Sequence, residues 1–176
     1  MTASYNKSAP QALSNETQKV VNAFNRLDTD AKLAWLYFVY KKMGDSITPA
    51  APAAGEPELA PKLLGDYHQL SDEEQLKIMR QIVNREDSEY SRAYGALKEN
   101  NQLFVWYGWA VKMGESIVDM PPNYKATDAI NNVLSQIEGL DFEAQMSVLR
   151  TIVGDMGYTD IKPIETQAQT GKTPSL

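Results

Sequence analysis

The sequence repeats itself at an offset of 70 residues. The stretch Lys-Met-Gly-Asp-Ser-Ile at 42–47 reappears at 112–117 with only the aspartate changed to glutamate. Six residues spread over 70–83 recur unchanged and in the same order over 140–153. Because two separate blocks share one offset, the chain consists of two related units. We expect each unit to bury its apolar face against the other, and this arrangement favours an elongated ligand or partner with similar ends.

Apolar residues at helical spacing predict helices over nearly the whole repeat, whereas alternation typical of strands is weak. The predicted fold is all-α, with about eight helices in two discontinuous, interleaved four-helix bundles that follow the internal pseudo-repeat. We expect the helical domain to span residues 15–160. A flexible arm over 1–14 is predicted before it, and a disordered tail over 161–176 after it.

Capping residues predict where the helices begin and end. The two aromatic helices are expected to stop at Gly44 and Gly114. A connector rich in Ala and Pro is predicted over 48–57, with a helix from about Glu58 that has Pro61 in its first turn. The pair Pro121-Pro122 indicates a second connector. The predicted N-caps are Asn15, Asp28 or Thr29, Ser71 in a capping box with Glu74, Thr127 or Asp128, and Asp141.

Composition excludes several functions. A net charge of -6 argues against nucleic-acid binding, and the absence of cysteine excludes a thiol nucleophile or a thiolate metal site. The single histidine, His68, has no evident catalytic partners, and Asp72, Glu73 and Glu74 stand where acidic residues favour a helix start. We therefore expect no enzyme and no metal site. With no signal peptide or transmembrane segment predicted, a soluble cytoplasmic protein is expected.

Aromatic residues crowd two helices at equivalent places in the repeat. Trp35, Tyr37, Phe38 and Tyr40 lie on the first, and Phe104, Trp106, Tyr107 and Trp109 lie on the second. Such stripes are more often packed core than a ligand site. However, the polar tips of Trp and Tyr fit poorly in a dry core, and methionines and small residues lie beside the stripes. A groove for a long, apolar, conjugated molecule is the functional interpretation.

Two arginines, Arg80 and Arg150, occupy the same place in the two units. One interpretation is a structural ion pair at a buried edge, with Asp30 a candidate partner for Arg80. The other is a charged contact at the mouth of the groove or at a partner surface. The pattern leaves both interpretations open.

Three segments in register resemble a known family. Residues 33–44 (Leu-Ala-Trp-Leu-Tyr-Phe-Val-Tyr-Lys-Lys-Met-Gly), residues 103–113 around Trp106-Tyr107, and residues 148–157 resemble the N-terminal domain of the orange carotenoid protein. The resemblance runs from about residue 15 to 160, and the length is similar to that of the helical carotenoid proteins, the stand-alone relatives of this domain. It implies an all-helical fold with a keto-carotenoid, such as canthaxanthin or echinenone, between two bundles.

The resemblance also implies which residues meet the carotenoid. Two of them depart from the family, which has a tryptophan at Tyr37 and a glycine at Ala110. The implied carotenoid-binding residues are Leu33, Tyr37, Tyr40, Met79, Trp106, Tyr107, Ala110, Met113, Met120, Met146, Arg150 and Val153.

Three functions follow as hypotheses. The first is photoprotection, with the bound carotenoid quenching singlet oxygen. The second is constitutive quenching of the phycobilisome antenna through a surface that includes Arg150. The third, from another class, is a helical adaptor without pigment. The resemblance leaves the phycobilisome and a C-terminal-domain-like carotenoid carrier open as protein partners, and a position near the thylakoid membrane open as location.

Overall fold

A computed structural model describes residues 14–47 and 60–160. These residues form helices and no β-strand, which confirms the predicted all-α class. The helices, numbered in chain order, are α1 (Asn15–Asn25), α2 (Thr29–Ile47), α3 (Pro61–Leu64), α4 (Asp72–Val83), α5 (Glu89–Gly95), α6 (Glu99–Val111), α7 (Asp128–Glu138) and α8 (Phe142–Gly154), with a 3-10 helix (Asp66–Gln69) after α3. Residues 1–13 of the predicted arm, the connector over 48–57, the predicted helix start at Glu58 and the tail over 161–176 lie outside the described residues.

The predicted N-caps are present with one exception. The Ser71–Glu74 capping box is present, and the side chains of Thr127 and Asp141 accept hydrogen bonds from the first turns of α7 and α8. The cap of α1 is Ser14 rather than Asn15. The Ser14 hydroxyl accepts a hydrogen bond from the Thr17 amide at 3.2 Å, so that Asn15 becomes the first helical residue.

The two aromatic helices end differently although their C-terminal sequences are nearly identical. The predicted stop at Gly44 is wrong, because α2 continues to Ile47. A glycine inside a helix costs only about 1 kcal/mol, which tertiary contacts readily offset. By contrast, α6 begins three residues before the predicted Gln102 and ends at Val111, and Gly114 follows with a φ of +86°. This left-handed backbone turns the chain away from the helix.

The bundles are interleaved along the chain. Helix α1 packs on α7 and α8 of the second unit, and α5 packs on α3 and α4 of the first. Helices α2 and α6, which are equivalent in the repeat, contact each other between these groups. Each bundle therefore combines helices from both units, which confirms the interleaved bundles predicted from the sequence.

Contacts between equivalent positions show that the units are related by a pseudo-two-fold axis. Arg85 and Asp155 occupy equivalent positions at the offset of 70, and they form an ion pair with 3.0 Å between Nη1 and Oδ1. Other contacts occur twice: Arg80 bonds to Asp30, and at the equivalent positions Arg150 bonds to Asn100. The axis therefore passes between the two units, near the crossing of α2 and α6.

Most polar tips of the core aromatic residues are hydrogen bonded. Trp106 Nε1 donates to the Tyr94 hydroxyl at 2.9 Å, and this hydroxyl donates to the Val153 carbonyl at 2.7 Å. Trp109 Nε1 donates to the Leu63 carbonyl at 2.9 Å. Backbone carbonyls thus allow tryptophan and tyrosine into the core, and Tyr94 links α5, α6 and α8.

We predict that Tyr94→Phe lowers the free energy of unfolding by about 1–3 kcal/mol, because it leaves the buried Trp106 indole N–H without an acceptor. Urea unfolding of the full chain measures the effect. Tyr124→Phe is the matched control, since Tyr124 is 37% exposed, and it should change the free energy of unfolding by less than about 0.5 kcal/mol. Equal effects of the two substitutions would contradict the role of the Tyr94 hydroxyl.

Candidate functional site

An apolar cleft opens where α2, α4 and α6 meet. Its empty volume is about 920 Å³ when the open solvent at its mouth is included. One wall is formed by part of the non-helical segment 116–124, which we call the strap. Eight of the predicted carotenoid-binding residues line this cleft: Leu33, Tyr37, Tyr40, Met79, Trp106, Ala110, Met113 and Met120.

A second, more polar hollow lies at the crossing of α2 and α6, and we call it the crossing pocket. It is bordered by Tyr107, the ninth predicted residue, together with Lys41 and Lys42. Tyr37, Tyr40 and Ala110 border both hollows. The rings of Tyr40 and Tyr107 lie 6.0 Å apart. Tyr37 is equivalent to Tyr107 in the repeat, and Tyr40 is equivalent to Ala110, so the crossing pocket lies at the pseudo-two-fold axis and the cleft reaches this axis through the residues that the two hollows share.

The remaining three predicted residues, Met146, Arg150 and Val153, border neither hollow. All three lie on α8, where Met146 and Val153 are buried. The repeat places Met146 at the position equivalent to Leu76, and Arg150 at the position equivalent to Arg80. Because Leu76 and Arg80 line the cleft, Met146 and Arg150 occupy the corresponding places in the other unit.

An ion pair lies among the residues that line the cleft. Arg80 donates to both carboxylate oxygens of Asp30, at 2.8 and 3.1 Å, and this bond raises the pKa of the guanidinium. The predicted partner Asp30 is thus confirmed, but the pair is not buried, since the two side chains are 45% and 66% exposed. An exposed pair stabilises the fold by at most about 1 kcal/mol. It adds a neutralised polar border to an otherwise apolar cleft.

The equivalent contact in the second unit is electrically different. Arg150 Nε donates to the side-chain oxygen of Asn100 at 3.0 Å. Asparagine is neutral, so the guanidinium charge of Arg150 is not compensated, and no ion pair to Arg150 occurs within residues 14–47 and 60–160. The two equivalent arginines therefore differ, because among the described residues Arg80 is paired with a carboxylate and Arg150 is not.

The aromatic residues divide between core and cleft. Trp35 and Trp109 are at most 1% exposed, and Trp35 packs edge-on against Phe24 at 5.0 Å. The Trp35 indole nitrogen is buried and has no hydrogen-bond partner among the described residues. The core interpretation therefore holds for Trp35, whereas Tyr37 and Trp106 also border open space.

Sequence reasoning missed most of the strap. Val118, Asp119, Pro121 and Tyr124 line the cleft, although the adjacent prolines indicated only a connector. Tyr124 stacks on Phe38 of α2, with ring centroids 6.3 Å apart. An exposed aromatic residue after a proline pair was the one available signal that this connector covers something.

The remaining polar candidates have structural surroundings. His68 is half-buried, and its Nδ1 lies 2.7 Å from the Ser116 hydroxyl. Partial burial, followed by the charge of Lys112, lowers the pKa of His68. Within the described part of the chain, no three side chains of the metal-ligating types form a group that could hold a metal ion. No helix in this part is long and apolar enough to span a bilayer.

Comparison with known proteins gives concordant matches. The family model for the N-terminal domain of the orange carotenoid protein matches residues 10–159. An orange carotenoid-binding domain-containing protein from Nostoc sp. (strain PCC 7120) is 40% identical over 138 residues, covering 78% of this chain and 81% of that protein. The orange carotenoid-binding protein of Synechocystis sp. is 34% identical over 137 residues, which cover 77% of this chain and 43% of the relative. The chain therefore spans less than half the length of this second relative.

Solved structures show the same fold. The Red Carotenoid Protein of Anabaena (Nostoc) sp. PCC 7120, binding canthaxanthin, superposes with a TM-score of 0.72 at 33% identity, covering 81% of this chain and 99% of that one. The Orange Carotenoid Protein of the same organism, also binding canthaxanthin, gives a TM-score of 0.75 at 29% identity over 86% of this chain and 50% of that one.

These relatives form a carotenoid-binding family and not an enzyme family. The family resemblance and the all-helical fold are therefore confirmed. The expectation that the chain belongs to no enzyme family agrees with these relatives. The chain belongs to the family of the orange carotenoid protein N-terminal domain.

Proposed function

We propose that this protein binds a keto-carotenoid, such as canthaxanthin or echinenone, in the groove between its two bundles and quenches singlet oxygen. The observation that supports this function most directly is the apolar cleft that reaches the pseudo-two-fold axis through Tyr37, Tyr40 and Ala110. A ligand that extends past the axis meets the second unit at positions equivalent to those it leaves in the first. A long polyene with a ring at each end has the matching shape.

The residues present fit such a guest. The cleft offers the faces of Tyr37 and Trp106, and the unbranched side chains of Met79, Met113 and Met120 adapt to irregular shapes. On the second unit we propose that Met146, Arg150 and Val153 continue the path, with Tyr107 at the crossing. Together with Leu33, Tyr40 and Ala110, these residues form the proposed carotenoid-binding set.

In this proposal the protein performs no acid–base or nucleophilic chemistry. Its apolar walls keep a water-insoluble guest dispersed and hold it in one geometry. A bound polyene supplies the photophysics, since it accepts the excitation energy of singlet oxygen and releases it as heat. The proposed location is the cytoplasm.

We predict that Ala110→Phe reduces pigment binding, because the new ring fills space that both hollows share. Overpacking of this kind costs about 1–3 kcal/mol, so the affinity should fall by about 5- to 150-fold. The measurement is the ratio of visible to 280 nm absorbance after expression in a canthaxanthin-producing host. Ala129→Phe, which adds the same ring at an exposed position of α7, should bind as the unchanged protein does.

The same preparation tests the function. Holoprotein should shorten the lifetime of singlet-oxygen luminescence more than pigment-free protein at equal concentration. An unchanged protein that stays colourless in this host would refute pigment binding and favour the adaptor without pigment. A coloured protein that leaves the luminescence lifetime unchanged would refute the singlet-oxygen role alone.

A second candidate function, quenching of the phycobilisome antenna, is favoured by the uncompensated guanidinium of Arg150. We predict that, if the holoprotein lowers the fluorescence of isolated phycobilisomes, Arg150→Gln weakens binding by about tenfold or more, because it removes charge-assisted hydrogen bonds. Arg80→Gln is the matched control, since Asp30 already neutralises Arg80 and the loss should be smaller. Equal losses would contradict a specific contact by Arg150, and unchanged antenna fluorescence would refute this function.

A further inference from the structure

The strap is a wall of the cleft that satisfies only part of its own backbone. Val118, Met120, Pro121 and Tyr124 all line the cleft, yet no helix includes them. The Tyr124 N–H donates to the Pro121 carbonyl at 3.1 Å within the strap, and the Met120 N–H donates to the Asp119 side chain at 2.7 Å. The remaining backbone N–H and C=O groups need partners from elsewhere. The side chains that supply these partners determine where the wall stands.

One buried side chain supplies two of these partners. Gln75 of α4 is 0% exposed, and its Nε2 donates to the Ser116 carbonyl at 2.9 Å while its Oε1 accepts from the Val118 amide at 2.7 Å. The same Nε2 donates to the Tyr67 carbonyl at 3.1 Å and lies 3.4 Å from the Leu70 carbonyl. The amide therefore ties the beginning of the strap to α4 and to the 3-10 helix.

Two further contacts fix the strap on either side of this amide. The Ser116 hydroxyl lies 2.7 Å from His68 Nδ1, and Tyr124 stacks on Phe38. The first of these contacts is half-buried and the second is exposed to solvent. Since Gln75 is fully buried, its hydrogen bonds are the most costly of these contacts to lose.

The repeat provides an internal comparison. Gln145 occupies the equivalent position in α8, and its Nε2 donates to the Ile137 carbonyl at 3.0 Å, which corresponds to the bond from Gln75 to Tyr67. The segment equivalent to the strap covers 46–54 and lies, from residue 48 onward, outside the described residues. Within the described part of the chain, Gln145 makes no bond to the strap itself, so the bond to a carbonyl serves both units, whereas Ser116 and Val118 are held by Gln75.

We propose that Gln75 is a positioning residue that holds the strap closed over the cleft and thereby retains the carotenoid at this end of the groove. The retention part rests on the proposed carotenoid-binding function, whereas the closure of the strap does not. Without the Gln75 amide, the Ser116 carbonyl and the Val118 N–H lose their hydrogen-bond partners. The strap then moves away from α4, so that both groups can form hydrogen bonds with water.

The first experiment needs no pigment. In the full chain, Gln75→Met removes the amide and keeps similar side-chain volume, and Gln145→Met is the matched control. Native-state hydrogen exchange should show the Val118 amide at least about tenfold less protected in Gln75→Met than in Gln145→Met. Both variants lose the shared bond to a carbonyl, so a purely structural role would move Val118 protection equally in the two, and this outcome would overturn the proposal.

The second experiment measures retention. Holoprotein loaded with canthaxanthin is mixed with phosphatidylcholine vesicles, and the visible spectrum follows transfer of the pigment. Gln75→Met should release pigment at least about fivefold faster than Gln145→Met. Equal rates would overturn the retention part of the proposal. An unchanged protein that binds no canthaxanthin would refute the proposed function, and the exchange experiment would still decide whether Gln75 closes the strap.

A third variant covers the case in which Gln75→Met does not fold. Val118→Pro removes the strap N–H and leaves α4 intact. It should release canthaxanthin faster than the unchanged protein, whereas Ser116→Ala, which keeps both bonds to Gln75, should have a smaller effect. Release from Val118→Pro at the rate of the unchanged protein would overturn the proposal.

Discussion

Each unit of the repeat leaves an apolar helix face that the other unit covers. Helix α1 begins the first unit, but its buried residues Val20, Val21 and Phe24 pack in a bundle with α7 and α8 of the second. Helix α5 does the converse with α3 and α4. Burial of apolar area is the dominant favourable term in folding, so this exchange ties both units into one cooperative structure. It also places the two aromatic helices against each other at the axis, and the groove is a consequence of this crossing.

The backbone around the groove follows the pseudo-two-fold symmetry, whereas side chains at equivalent positions differ. At equivalent places Tyr40 stands against Ala110, and the smaller alanine leaves space that both hollows share. Asp30 stands against Asn100, which neutralises one arginine and leaves Arg150 charged. A guest that crosses the axis therefore meets a similar backbone but different ends. This difference matters for any partner that recognises one end, because among the described residues the arginine at one end is paired with a carboxylate and the equivalent arginine at the other is not.

Much of the fold followed from local signals, whereas the site depended on tertiary contacts. Helix caps such as Ser71 and Asp141 act within one turn, so the sequence predicts them well. The ion pair between Asp30 and Arg80 was predictable because the repeat marked both arginines. The same Lys-Met-Gly motif, however, is helical at Gly44 and lies beyond the helix at Gly114. The six residues around each glycine are nearly the same, so the difference comes from residues outside this motif.

The polar tips of the aromatic residues were a weaker indication of a ligand than their number suggested. Tyr40 donates to the Leu103 carbonyl at 2.7 Å, and Trp106 reaches Tyr94, so neither needs a guest to satisfy its hydrogen bonds. The buried Trp35 nitrogen lacks a partner within residues 14–47 and 60–160, but Trp35 does not line the cleft. The case for a guest therefore depends on open space rather than on aromatic composition. That space exists because Ala110 carries a small side chain where the two hollows meet and because Gln75 holds the strap as a wall instead of letting it fill the cleft.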